Sequence, residues 1–329
     1  MKAITLVFAL ALVFFFSHVG AQGRFTLVVH GGAGNVTRER IGPEREREFE
    51  AALAQALKAG EEILKNGGSS LDAVVAAVVV LENSPLFNAG RGAVFTKDGR
   101  NELDASIMDG SALRAGAIAG VTNIKNPIKA ARAVMENSPH VLLSGRGAEQ
   151  FAFEQGLEIV DPSYFFDQHR WDQYREFLRT TSPLRGNLPH DITMGTVGAV
   201  ALDLHGNLAA ATSTGGMTGK MQGRIGDSPI IGAGTYANNL TVAVSSTGHG
   251  EFFKRNLVAY DISARMAYLG ETITEATHYN VMVRLKNQGA NGGVIAVDRN
   301  GNIAMPFNTT GMFRGFIKST GESDIKIFE

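Results

Sequence analysis

The stretch Met194-Gly195-Thr196-Val197-Gly198-Ala199-Val200-Ala201-Leu202-Asp203 reads as a buried strand that starts at Gly195-Thr196 and ends in a turn at Asp203. Its apolar residues are small or β-branched and are bounded by turn formers, the pattern of a core strand. The Gly-Thr pair also has a chemical reading. A threonine hydroxyl is a weak nucleophile that needs a base beside it, and at a chain start its own α-amine supplies one. Such an amine titrates near ~7.7–8.0, so a useful fraction is neutral at physiological pH. A cut between Gly195 and Thr196 would free that amine and switch the nucleophile on. Gly195 suits the cut, because without a Cβ it tolerates strained backbone and lets the Thr196 hydroxyl reach its carbonyl. Taken alone, Gly-Thr is far more commonly the plain start of a strand, and the rest of the chain must decide.

With 329 residues, the chain can bury one large core or two ordinary ones. Apolar residues make up 44% and charged residues 19%, which marks a globular protein. A formal net charge of −1 argues against a nucleic-acid binder, which would carry a basic face. The absence of cysteine excludes disulfides, thiolate zinc sites and a cysteine nucleophile. At the N-terminus, Lys2 precedes an apolar run over residues 3–16, and Val19-Gly20-Ala21 places small residues at a cleavage position. Residues 1–21 therefore read as a secretory signal cut after Ala21, with an apolar run too short for a membrane span of ~20 residues. The expected location is periplasmic or secreted, with no membrane association once the signal is removed. Asn35, Asn239 and Asn308 lie in glycosylation sequons, which matter only in a glycosylating host.

Along the chain, residues 25–29 form a short strand ending in His30-Gly31-Gly32-Ala33-Gly34. This glycine run lacks dinucleotide-binding spacing and reads as close packing near a site, with His30 a core histidine. Pro43 opens a helix whose face is Phe49, Ala52, Leu53, Ala56 and Leu57, and Gly67-Gly68 ends it. A second helix over 71–81, capped by Ser69 or Ser70, is apolar nearly all round and must lie between layers. Strands are expected at 93–96, 103–108 and 115–121, with turns at Lys97-Asp98-Gly99 and Asp109-Gly110. Helices follow from Asn126-Pro127 and over 148–156. Residues 161–192 read as an exposed connector with a helix near 168–179. After Thr196 come a hairpin through Leu204-His205-Gly206-Asn207, strands at 229–234 and 241–246, helices at 251–268 and 274–286, and a hairpin at 293–305 that repeats the pattern of the first. Buried strands with helices before and between them imply layers of helix, sheet, sheet and helix.

Several polar motifs fall where these elements end. Thr214, in Thr212-Ser213-Thr214-Gly215-Gly216, closes the return strand of the first hairpin and should sit beside Thr196. Arg224 and Asp227 suit the two ends of an α-amino acid, carboxylate and ammonium, or a surface ion pair with each other. Ser246-Thr247-Gly248-His249-Gly250 offers a hydroxyl and backbone N–H groups at a helix start, suited to an oxyanion or to simple capping. His249 has no Gly-x-Ser-x-Gly elbow to serve, and no ligand pattern for a catalytic metal is present.

With these motifs in place, the chain resembles the plant-type L-asparaginase and isoaspartyl peptidase family of N-terminal nucleophile hydrolases. The resemblance runs from His30-Gly31-Gly32 to about Arg314. It is carried by Phe87-Asn88-Ala89-Gly90, Glu102-Leu103-Asp104-Ala105, Asn126-Pro127, Gly195-Thr196-Val197-Gly198-Ala199-Val200, Ser213-Thr214-Gly215-Gly216, Gly223-Arg224-x-Gly226-Asp227 and Pro306-Phe307-Asn308-Thr309. It implies an α+β fold, the four-layer αββα sandwich. It also implies self-cleavage into an α subunit (22–195) and a β subunit (196–329) that share one globular domain, with two such pairs forming an (αβ)2 heterotetramer. The implied substrates are L-asparagine and β-aspartyl dipeptides, hydrolysed to L-aspartate through a Thr196 acyl-enzyme. By the same resemblance Thr214 flanks the nucleophile, Thr247 and Gly248 stabilise the oxyanion, and Asn88 orders the site. Arg224 and Asp227 hold the substrate with help from Gly248 and Gly250. No cofactor is required, and a structural sodium ion is expected on the backbone of Leu81, Glu82, Phe87, Ala89 and Arg91.

Two other readings make different predictions. A glycosylasparaginase would need room for a sugar, and it usually has Asp-Thr at the cut. A periplasmic amino-acid-binding protein would keep its chain intact and release no product.

Overall fold

A computed structural model describes residues 23–180 and 195–329. The expected signal segment with its cut after Ala21, and the end of the connector, lie outside the described residues. β1 (Thr26–Gly34) leads into α1 (Arg38–Lys65) and α2 (Ser70–Asn83), and a 3-10 turn at Gly90–Gly92 precedes β2 (Leu103–Asp109) and β3 (Arg114–Val121). Next come α3 (Pro127–Asn137), β4 (Leu142–Ser144), α4 (Gly145–Glu154) and α5 (Gln168–Thr180). Beyond Thr196 lie β5 (Val197–Leu202), β6 (Leu208–Thr214), β7 (Thr235–Ala237), β8 (Val242–Gly248), α6 (Gly250–Asn256), α7 (Val258–Leu269) and α8 (Ile273–His278). The chain then adds β9 (Gly292–Asp298), β10 (Ile303–Ala304), β11 (Gly311–Lys318) and β12 (Ser323–Lys326). One sheet has the order β12-β11-β1-β5-β6-β2-β3-β4 and the other β10-β9-β8-β7.

The period-2 alternation of side chains explains how these pieces stack. On β1, Leu27 and Val29 face a core shared with Leu53, Leu57, Val74, Val78 and Ile128 of the first three helices. Val28 points the other way, into a core built with Ala243, Ile295 and Val297 of the smaller sheet. β5 repeats this, with Ala199 and Ala201 toward the helices and Val200 and Leu202 toward the second sheet. On β8 and β9, Val242, Val244, Val294 and Ala296 face a third core with Phe253, Val258, Ile262 and Val281. Strands buried on both faces need continuous apolar runs, which is how residues 197–202 read.

Most expected elements are present, and the exceptions have physical causes. The glycine run after His30 stays in β1 rather than turning, with a bulge between His30 and Gly32. The helix expected from Pro43 starts earlier, at Arg38, but is broken at Gly42 (φ 72°) just before the proline. Residues 93–96 form no strand, because side chains and loops take their backbone bonds. Asn101 Nδ2 donates to the Ala93 and Val94 carbonyls, and the Val94 N–H donates to Asn88 Oδ1. Residues 229–234 form a turn, and the strand lies just after it. That turn also splits the helix expected over 251–268. The Gly232 and Ala233 carbonyls accept N–H groups from Tyr260 and Ala259, at the start of α7, and Leu257 at the break is left-handed (φ 46°). The second helix, expected over 274–286, winds into a wider π turn from Tyr279. The connector is not wholly exposed, since Phe165, Arg170 and Tyr174 are buried. β4, β11 and β12 were not expected, and β11 pairs with β1 along its length.

The two hairpins match in detail. Asp203 Oδ1 accepts the His205 and Asn207 N–H groups, and Asp298 Oδ1 accepts those of Asn300 and Asn302. Where the sheets meet, a Cβ on Gly198 would lie 2.0 Å from Ser245 Oγ and 2.5 Å from His30 Nε2. These two side chains are hydrogen-bonded at 2.9 Å, and burial pushes His30 down to about 3, so the ring is neutral. Gly198→Ala should therefore overpack the sheet interface and cost about 1–3 kcal/mol. Thermal denaturation of the variant checks this, and an unchanged Tm would contradict the packing described.

Candidate active site

Antiparallel register builds the centre of the site. Val197 on β5 pairs with Ser213 on β6, so Thr196, one residue earlier, lies opposite Thr214. Both are buried. The Thr196 hydroxyl donates to Thr214 Oγ1 at 3.2 Å, and Thr214 Oγ1 donates to the Gly195 carbonyl at 3.1 Å while accepting the Gly216 N–H at 2.9 Å. A second donor reaches the same carbonyl, Asn88 Nδ2 at 2.8 Å. Its other hydrogen goes to the Gly216 carbonyl at 2.6 Å, and its Oδ1 accepts the Val94 N–H, so the amide is fixed at both ends. From β1, Gly32 closes the opposite side. A Cβ there would sit 2.9 Å from Gly195 Cα and 3.1 Å from the Thr196 nitrogen. The glycine run is thus close packing against the Gly195–Thr196 bond.

At the end of β8, Thr247 is fully buried and its Oγ1 accepts the Ala33 N–H at 3.3 Å. That bond uses a lone pair and leaves the hydroxyl hydrogen to give. Gly248 follows with φ 143°, a conformation that side chains rarely adopt, and a Cβ there would meet the Asn291 carbonyl at 2.4 Å.

Gly195, Thr196, Thr214, Arg224, Asp227 and Gly248 line one small cavity of about 10 Å³. Asp227 is 4% exposed, and its Oδ2 has no hydrogen-bond partner. Burial pushes its carboxyl up to about 6 against the pull of Arg224. An unpartnered buried carboxylate oxygen on a cavity is a seat for a cation. Arg224 pairs with Glu251 rather than with Asp227, giving Nε and Nη2 to the two carboxylate oxygens at 2.8 and 2.9 Å. Gly250 packs against both groups, because a Cβ there would be 2.8 Å from Arg224 Nη2 and from Asp227 Oδ1. Sequence reasoning missed Glu251, although an acidic residue in the first turn of a helix beside an arginine motif was a readable signal. His249 sits at the start of α6, its Nδ1 accepting the Asn291 N–H at 3.5 Å.

The loop that carries Asn88 is wound tightly. A Cβ on Gly90 would meet the Glu82 carbonyl at 2.3 Å, and one on Gly92 would meet the Phe87 carbonyl at 2.1 Å. Both glycines thus pack directly against carbonyl oxygens of the loop, where no side chain fits. The Glu82 side chain, wholly buried, was also missed. It accepts from Ser213 Oγ (2.7 Å), the Ile128 N–H (3.0 Å) and Asn126 Nδ2 (3.1 Å), joining α2, α3 and β6 next to Thr214. Burial pushes its carboxyl up to about 7 despite these donors. The folded chain therefore favours the protonated acid. Its contribution is complete below an ordinary carboxyl pKa near 4.5 and is lost as pH rises through about 7, by about 3 kcal/mol at most. Glu82→Gln should flatten the fall in Tm between pH 5 and 8. An equally steep fall in the variant would contradict the assignment.

The chain matches the asparaginase family over residues 23–327. It is 51% identical over 299 residues to the isoaspartyl peptidase of Escherichia coli (strain K12), covering 90% of this chain and 93% of that protein. It is 51% identical over 325 residues to a putative isoaspartyl peptidase/L-asparaginase of Dictyostelium discoideum, covering 88% and 92%. With a probable isoaspartyl peptidase/L-asparaginase 2 of Arabidopsis thaliana it shares 42% over 330 residues, covering 94% of this chain and all of that one. Matched along nearly all of its described length, this protein belongs to the asparaginase family that includes the plant-type L-asparaginases and isoaspartyl peptidases.

Proposed function

We propose that this chain cuts itself between Gly195 and Thr196 and then hydrolyses the side-chain amide of L-asparagine and of β-aspartyl dipeptides, releasing L-aspartate. The observation that carries this reading is the Gly195 carbonyl, held by Asn88 and Thr214 beside the Thr196 hydroxyl. Attack of Thr196 Oγ on the Gly195 carbonyl carbon puts negative charge on that oxygen, where two donors already wait. The proton lost from Oγ passes to the Thr196 nitrogen, the C–N bond breaks, that nitrogen leaves as an amine, and an ester joins Gly195 to the threonine side chain. Water then hydrolyses the ester, giving a Gly195 carboxylate and a free Thr196. The products are an α subunit (22–195) and a β subunit (196–329) of one αββα sandwich, a reading supported by the apolar cores on the faces of the two sheets. Association as (αβ)2 and export on the N-terminal signal belong to the same reading.

In turnover the neutral Thr196 amine takes the proton from its own hydroxyl, and Oγ attacks the substrate β-carbonyl. Thr247, with a hydrogen to give, and the Gly248 N–H bear the oxyanion. The amine returns its proton to the leaving nitrogen as the C–N bond breaks. Water, deprotonated by the same amine, then releases aspartate from the acyl-enzyme. Asp227 takes the substrate ammonium on its open oxygen and Arg224, its plane set by Glu251, takes the α-carboxylate. The backbone of Gly248 and Gly250 completes the pocket. A sodium ion on the carbonyls of Leu81, Glu82, Phe87, Ala89 and Arg91 would add positive charge that stiffens the loop holding Asn88.

This reading has a pH signature, because kcat/KM reports groups on the free enzyme. Asp227 binds ammonium only when ionised, so the fall in kcat/KM for L-asparagine that protonation of the Thr196 amine imposes should steepen below about pH 6. Asp227→Asn should lose that extra steepness and about tenfold to a hundredfold in kcat/KM. A wild-type acid limb of unchanged slope down to about pH 5, or an unimpaired variant, would contradict the role.

A further inference from the structure

A second and larger cavity, about 630 Å³, meets the site at Gly195. Gly195 is a wall of both cavities, so cutting its bond to Thr196 and withdrawing it would join them. The larger cavity also borders Gly32, which packs against the Thr196 nitrogen. It therefore opens where a leaving group must depart. The small cavity, about 10 Å³, is walled by the groups proposed to hold the aspartyl unit.

The walls have a definite chemistry. Phe49 stacks on Phe313 with ring centroids 4.2 Å apart, and Phe87 meets their rings edge-on at 5.5 and 6.2 Å. Three of the lining residues are arginines, Arg40, Arg45 and Arg170, against one carboxylate, Glu176. Arg170 is committed, giving Nε to the Gly92 carbonyl at 2.9 Å and Nη2 to that of Leu86 at 3.1 Å. Arg45 lies 5.7 Å above the Phe49 ring, and no described carboxylate pairs with it. A guanidinium over an apolar wall suits a ligand with a carboxylate and an apolar side chain.

We propose that this cavity is the leaving-group subsite, taking the amine-side residue of a β-aspartyl dipeptide with its side chain on the phenylalanine wall and its α-carboxylate on Arg45. The proposal rests on the hydrolase reading above. It makes the enzyme a better dipeptidase than asparaginase, because ammonia leaving from L-asparagine uses none of these contacts.

The test uses the matured enzyme with three substrates: L-asparagine, β-aspartyl-leucine and β-aspartyl-leucinamide, whose carboxylate is blocked. Wild type should show kcat/KM about tenfold higher for the acid than for the amide. Arg45→Ala should erase that difference and leave L-asparagine within about twofold, and Arg45→Lys should restore part of it. Equal kcat/KM for acid and amide in wild type, which needs no variant, would overturn the subsite. So would an Arg45→Ala loss shared equally by all three substrates. A mature wild type that hydrolyses none of them would overturn the hydrolase reading, and the subsite with it.

Discussion

The hydrogen bonds on the Gly195 carbonyl are what the site depends on. Asn88 comes from the loop after α2, Thr214 from the end of β6, and Thr196 from the start of β5, so three separate parts of the chain must agree to within about half an ångström. The fold secures that agreement by burial. β5 and β6 are central strands, packed on helices on one side and on the second sheet on the other, and every residue in both is buried. A site on such strands has little freedom to relax. The Thr196 hydroxyl thus lies at the start of a strand buried on both faces, with Arg224 and Asp227 on the chain outside the strands.

The same economy governs charge. Of the buried acids near the centre, Glu82 has three donors and ties helices to β6, whereas Asp227 keeps one oxygen without a partner. The first arrangement is structural and the second costs stability, which a protein tolerates where a ligand will supply the missing partner. Arg224 and Glu251 form a fork that fixes the guanidinium before any substrate arrives, and Gly250 lets that fork and Asp227 come close.

Much of this was legible in the residues, and the reasons are local. Continuous small and β-branched runs gave β5, β6, β8 and β9, because strands buried on both faces leave that trace. Thr214 followed from antiparallel geometry alone. What was not legible depended on contacts distant in sequence. Residues 93–96 and 229–234 have strand-like composition, but Asn101 and the start of α7 take their backbone groups. β11 and β12 carry no strong alternation; β11 becomes a strand by pairing with β1, and β12 by pairing with β11. Glu82 and Asn126 read as helix-end residues, and only the fold brings the Glu82 carboxylate within reach of both Asn126 and Ser213. The Arg224–Asp227 spacing suggested an ion pair, and only the fold shows that Glu251 takes that place.

The account stands on one event, the freeing of the Thr196 amine. Intact mass of the purified mature protein under denaturing conditions, for wild type and Thr196→Ala, tests it most directly. Two fragments in wild type, the second beginning at Thr196, with a single chain in the variant, is the predicted result. A wild-type chain that stays whole over days would contradict it, because the base proposed for substrate hydrolysis is the amine that only the cut sets free.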